Sequence, residues 1–315
     1  MIVKDSEGKD YLNLLRTGKL EKGYGIGCSL DTNLVFKRKQ LVFANGLDNV
    51  GKTYFMVWYF LCLTQKHNLT WTIFSTENSI AKIKRDLIQF LAQTKIEDLT
   101  ELEFYNYFNH VSHYFKFLST DVVYNFEEVL KLFNESDTDG YLIDPLTALA
   151  NGAIKINKHE TDNENMLKLR AWLNTNNKTV YINTHVSTEA ARKTYPKDHD
   201  LNGHTMPPTK ADTEGGQKLA NRADDFITIH RLTQHEIHWM NTQVHVRKVK
   251  DTLTGGGTTM LDYPVTLKHE KNFSFTIGGY NPLKDEVKSE VKDEPLFTPI
   301  DKMIDPDFDN SINPF

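Results

Sequence analysis

Cysteine is almost missing from this chain: of 315 residues only Cys28 and Cys62 are cysteines, and neither sits in a Cys-x-x-Cys spacing. That argues against a disulfide-stapled secreted scaffold and against the common structural zinc sites. Nowhere do 18 apolar residues follow one another, so no membrane-spanning helix and no membrane partner are expected. The first residues, Met1-Ile2-Val3-Lys4-Asp5-Ser6-Glu7, lack the apolar stretch of a signal peptide, and a cytosolic protein is expected. Charge of one sign is also missing from most of the chain. Residues 284–315 hold nine acidic side chains against four lysines, so the whole net charge of −5 lies there. The other 283 residues balance 33 basic against 33 acidic side chains. A neutral body neither announces nucleic acid nor argues against it.

What is present is decisive at one place. Residues 46–53 read Gly-Leu-Asp-Asn-Val-Gly-Lys-Thr, a complete G-x-x-x-x-G-K-[ST] phosphate-binding loop. An apolar, β-prone run at 40–44 precedes it and an apolar run long enough for a buried helix follows, and strand–loop–helix is the context such a loop requires. Backbone N–H groups and the positive helix end would wrap the α- and β-phosphates of a nucleoside triphosphate. Gly46, Asn49, Val50, Gly51, Lys52, Thr53 and Tyr54 are the expected contacts. Lys52 would reach the β/γ-phosphates, and the Thr53 hydroxyl would ligate Mg²⁺.

Strand-like and helix-like segments alternate from residue 40 onward, which predicts a mostly parallel α/β sheet. Strands are expected at 40–44, 71–75, 114–118, 140–143, 179–183 and 226–230, and helices at 52–65, 79–92, 126–133, 163–175 and 216–222. Beyond 231 the texture changes to hairpins at 235–240, 243–248, 260–268 and 273–277. The domain is expected to span 26–283, with an arm at 1–25 and a disordered acidic tail at 284–315.

Four features fall around the loop. Glu77 follows the strand at 71–75, at the strand end where ligands of open α/β sheets sit; it could take a proton from, or orient, an attacking water, or simply cap a helix. Asp144 ends the apolar run Gly140-Tyr141-Leu142-Ile143 and could hold Mg²⁺ together with Thr53. His185 closes the polar trio after the strand at 179–183 and could contact the γ-phosphate, or be a structural histidine. Lys248 and Lys250 lie near a glycine-rich turn, where they could enter a neighbouring subunit's site or form a solvated hairpin; on a strand they share one face and Arg247 points away. His235, His238 and His245 lack a supporting carboxylate or cysteine pattern and read as structural.

In this order, and with Glu214-Gly215-Gly216-Gln217 leading to Ala223-Asp224-Asp225, the motifs resemble the RecA-like ATPase domain of DnaB-type hexameric replicative helicases and their plasmid and phage relatives. The resemblance covers about residues 23 to 280, with Gly25, Gly27, Leu30 and Asp31 similar to the family's entry into the domain. It implies a RecA-like P-loop NTPase core, antiparallel hairpins at the C-terminal edge, ATP and Mg²⁺ as cofactors, and a hexameric homo-oligomer moving 5′ to 3′ on single-stranded DNA. It also implies that Glu77 is the catalytic carboxylate and that Lys248 and Lys250 reach the neighbour's nucleotide. The family usually has Gln where His185 stands and Arg where Lys250 stands; Arg247 is the alternative finger.

By the same resemblance, residues 151–158 and 191–210 would line the DNA channel, with Arg192 and Lys193 on phosphates and Tyr195 stacked on a base; a flexible surface insertion is the plainer alternative. The tail ends Asn313-Pro314-Phe315, similar to the acidic tips of single-strand-binding proteins that dock replication partners. A strand-pairing recombination ATPase and a non-translocating regulatory ATPase are the rival readings.

Overall fold

The runs expected to pair in parallel do so in one nine-stranded sheet. The computed structural model describes residues 8–149 and 158–285. Its strands are β1 (Leu41–Asn45), β2 (Trp71–Ser75), β3 (Phe115–Phe117), β4 (Gly140–Asp144), β5 (Thr179–Asn183), β6 (Asp225–His230), β7 (Asn241–Val249), β8 (Val265–Glu270) and β9 (Ser274–Thr276). They lie in the order β3-β2-β4-β5-β1-β6-β7-β8-β9. Every pair from β3 to β6 is parallel, and every pair from β6 to β9 is antiparallel.

Alternation along each strand divides the core in two. Val42, Ala44 and Tyr181 face a layer formed by α2 (Lys52–His67), α3 (Ile80–Ala92) and α4 (Glu101–Tyr114). Leu41, Phe43, Val180 and Ile182 face α5 (Phe126–Ser136), α6 (Lys158–Asn176) and α7 (Gly216–Ala220). Because α2 is packed on all sides, every residue from Phe55 to Thr64 is buried, as an all-round apolar helix requires. Phe60 stacks on Trp71 at 3.9 Å between ring centroids, tying α2 to β2.

The entry to the domain is a built turn. The Asp31 carboxylate accepts from the N–H groups of Ile26, Gly27 and Cys28, at 2.7, 2.6 and 3.2 Å. Before it, α1 (Lys9–Arg16) buries none of its residues.

Several expectations need correction. Residues 235–240 are not a strand: they form a turn with a 3₁₀ segment at His238–Met240, and the alternating Ile237 and Trp239 stay exposed because no sheet face receives them. The expected strand at 260–268 is reduced to β8, which starts at Val265. The helix α4 was not anticipated. Its signal is the capping box in which Thr100 and Glu103 satisfy each other's N–H groups. Of its residues only Val111 is fully buried, so its apolar periodicity is weak. Residues 286–315, most of the expected acidic tail, and 150–157, most of the first expected channel segment, lie outside the described residues. No helix among the described residues is long and apolar enough to cross a membrane.

Candidate nucleotide site

Strand order reverses at β1, which has β5 on one side and β6 on the other. The crevice beyond the C-terminal ends of such strands is where open α/β sheets take ligands. Gly46 leaves β1 there, so close to β6 that a Cβ would fall 2.3 Å from the carbonyl oxygen of Ile229. Asn49 and Gly51 adopt left-handed backbone, φ 59° and 88°, which turns the chain into α2. Val50 is buried beneath the loop. The Lys52 ammonium donates to the carbonyls of Gly46 and Leu47, both at 3.0 Å. Burial pulls its pKa below the usual lysine value, while Glu77, Asp48 and Asp144 oppose that shift. A cavity of about 610 Å³ opens here, lined by Gly51, Lys52, Thr53, Tyr54, Glu77 and Asn78 among others. The Tyr54 ring turns toward the sheet edge, 4.6 Å from Phe90 and 5.7 Å from His269 by centroids, and burial pushes its hydroxyl pKa up to about 12.

Asp144 is fully buried at the end of β4. Its Oδ2 accepts from Thr53 Oγ1 and Ser75 Oγ, each at 2.8 Å, and its Oδ1 accepts from Asn183 Nδ2 at 2.7 Å. Asn78 Nδ2 donates to Thr53 Oγ1 at 3.2 Å. A hydroxyl and a carboxylate side by side suit a hard divalent cation such as Mg²⁺, which takes one or two protein oxygens and completes its shell with water and phosphate. No cluster of three His, Cys, Asp or Glu that could hold a metal is found among the described residues. His235, His238 and His245 form no such cluster; the first two lie tilted with centroids 4.5 Å apart, and His245 meets His230 edge-on at 6.4 Å.

Glu77, on the turn after β2, lines the same cavity, and His185, just beyond β5, reaches it from behind that cavity's wall. His185 Nε2 lies 3.0 Å from Glu77 Oε1, and its Nδ1 lies 3.7 Å from Asp48 Oδ1. This contact joins positions that the sequence suggested separately, and it adds Asp48, which sequence reasoning missed. Asn45 was missed as well, and Ser75, Asn78 and Asn183, although inside the motifs singled out in the sequence, were given no role of their own. Each is a polar residue at a strand's C-terminal end or one turn beyond it, and that recurrence was the available signal. Asn45 Nδ2 donates to the Thr209 carbonyl at 2.9 Å and to Thr213 Oγ1 at 3.1 Å, while its Oδ1 accepts from Thr228 Oγ1 at 2.7 Å. The root of the loop is thereby tied to residues 209–213, where the 191–210 stretch ends.

Lys248 and Lys250 do not join this cluster. They lie beside the start of β6, at the end of the sheet opposite the phosphate loop. Lys248 Nζ donates to the carbonyls of Asn221 and Ala223, and Lys250 Nζ pairs with Asp224 at 3.0 Å. Arg247 points to the other face, where it donates to the Pro208 carbonyl at 3.4 Å. Lys193 pairs with Asp212 at 2.5 Å, and Tyr195 stacks on His199 at 4.3 Å.

No protein-family model matches the sequence, and no curated protein matches it. Solved structures do match. One, solved as an ATPase domain, is 12% identical with a TM-score of 0.70, over 87% of this chain and 99% of that one. A DnaB-like replicative helicase, solved in a study of its interactions with primase, is 14% identical with a TM-score of 0.67, over 87% of this chain and 67% of that one. The chain has the RecA-like fold of these DnaB-type ATPase domains.

Proposed function

We propose that this chain is an ATP-driven helicase motor that assembles into a ring, hydrolyses ATP between neighbouring copies and translocates on single-stranded DNA. The observation that carries this reading is that Lys52, Thr53 and Glu77 line one cavity, with Asp144 bonded to Thr53 and His185 3.0 Å from Glu77. Thr53 and Asp144 would hold Mg²⁺, which neutralises charge on phosphate oxygens when bound. Lys52 would exchange the Gly46 and Leu47 carbonyls for phosphate oxygens. Glu77 would orient the attacking water and accept its proton. His185 would contact the γ-phosphate and carry its loss to residues 187–213, because Glu214 N–H donates to the His185 carbonyl and Val186 bridges to Thr213.

Lys248 and Lys250 are proposed to act on the neighbour's nucleotide, which suits their distance from their own loop. Of the two lysines, Lys250 is the better finger: its side chain is the more exposed and its partner is a single carboxylate. Arg247, held against Pro208, is not. Arg192 and Tyr195 remain proposed DNA contacts, and residues 284–315 a proposed recruiter of a replication partner.

The test is the ATPase rate of the purified chain with and without single-stranded DNA, beside Glu77→Gln. The motor reading expects strong stimulation that disappears in the variant. A rate indifferent to DNA would instead indicate a regulatory ATPase.

A further inference from the structure

We infer that Asp48, the third residue of the phosphate loop, is a positioning residue that holds the His185 ring so that Nε2 faces Glu77. The inference rests on the proposed hydrolytic site and assigns a role within it. His185 has a carboxylate on either side: Glu77 Oε1 3.0 Å from Nε2, and Asp48 Oδ1 3.7 Å from Nδ1. The two carboxylates thus lie within ion-pairing distance of the ring, one beside each nitrogen. A carboxylate beside one nitrogen alone leaves an imidazole free to flip about its terminal torsion, which is soft; a second carboxylate 3.7 Å from the opposite nitrogen opposes that flip.

The three side chains come from three separate places, the loop after β1, the turn after β2 and the end of β5, so the contact exists only in the assembled sheet. Asp48 is also the side chain that divides two cavities: it lines the one holding Lys52 and Glu77, and it lines a second of about 460 Å³ reached by Ser187, Thr188 and His204. Asp48 therefore stands between the nucleotide cavity and the segment proposed to meet DNA, and its contact with His185 links the ring to that boundary.

An acid at this position has a second, opposite effect. Its charge repels incoming phosphates, which weakens nucleotide binding. Orientation of His185 and Glu77 acts on the chemical step, and repulsion acts on binding, so the two effects separate in kinetics.

The experiment measures kcat and KM for ATP, with saturating single-stranded DNA, in the full chain and in Asp48→Asn, Asp48→Glu, His185→Gln and the Asp48→Asn/His185→Gln double variant. Expected is a fall in kcat of about tenfold for Asp48→Asn, the size typical of removing a group that orients a ligand or catalyst, with KM unchanged or lower. Asp48→Glu restores most of kcat, and Asp48→Asn adds no further loss once His185 is Gln. An unchanged kcat, or an equal loss in the His185→Gln background, overturns the inference. If the unmodified chain hydrolyses no ATP, the reading of the site fails separately. The ring contact is then decided by the His185 imidazole nitrogen NMR signals: they shift in Asp48→Asn if the contact holds, and unmoved signals overturn it.

Discussion

Replacing Gly46 with alanine puts a methyl group where β6 already stands. The new Cβ would lie 2.3 Å from the Ile229 carbonyl oxygen and 3.1 Å from Val50 Cγ2. The first contact is roughly 1 Å inside van der Waals separation. Ile229 cannot retreat: it is fully buried, paired with Val244 on its other side, and next to Thr228, which is bonded to Asn45. The phosphate loop must move instead, and Lys52 and Thr53 move with it. Displacing a reacting group by about 1 Å costs on the order of 10²-fold in rate, or about 2.7 kcal/mol of barrier. Overpacking should also remove about 1–3 kcal/mol of stability. Both are measurable on one preparation, as kcat/KM for ATP and as the urea midpoint, with Gly8→Ala as the control because nothing lies within 4 Å of its added Cβ. A Gly46→Ala protein that hydrolyses ATP within twofold of the parent, with an unmoved midpoint, would refute the close-approach argument.

If Lys250 acts across a subunit boundary, Lys250→Ala and Glu77→Gln should each be inactive alone. Mixed together they should recover a fraction of the rate, since some boundaries then pair an intact Glu77 with an intact Lys250; no recovery on mixing counts against a finger in trans. Acid should destabilise the fold through histidine: burial holds His230 at about 4, His245 at about 3 and His269 at about 4, against about 6.5 in the unfolded chain. The unfolded chain takes up these protons first, so this stability is complete above about pH 6.5 and is lost as pH falls toward 4, on the order of 1 kcal/mol per ring for each pH unit. Urea midpoints between pH 7 and 4.5 should show that slope, and it should be shallower in His230→Leu.

The parts legible in the sequence were those whose cause is local. The phosphate loop, β1 and α2 adjoin one another, and Asp144 closes an apolar run that could hardly be anything but a buried strand. What escaped was decided at a distance. Thr100 and Glu103 announce α4 by their spacing, yet the helix packs only part of one face, leaving Leu102 and Tyr105 exposed. The alternation at 235–240 looked like a strand because the sequence cannot show that no face is available to bury Ile237 and Trp239. Asn183 reads as a strand end, but its bond to Asp144 depends on β4 and β5 being neighbours. Likewise, nothing near Asp48 in the chain reveals that His185, 137 positions later, comes to rest beside it.

The place of β1 between β5 and β6 bears on how the chain is made. On the ribosome, the strand that carries the phosphate loop emerges well before its two partners, Thr179–Asn183 and Asp225–His230. At about 5–20 residues per second, roughly 10–40 s separate the end of β1 from the end of β6. Throughout that interval α2, with its unbroken run from Phe55 to Thr64, has no finished sheet to cover it. A nascent chain halted before residue 225 should therefore be a good client for a chaperone and a poor ligand for ATP, and both properties should reverse once β6 is released.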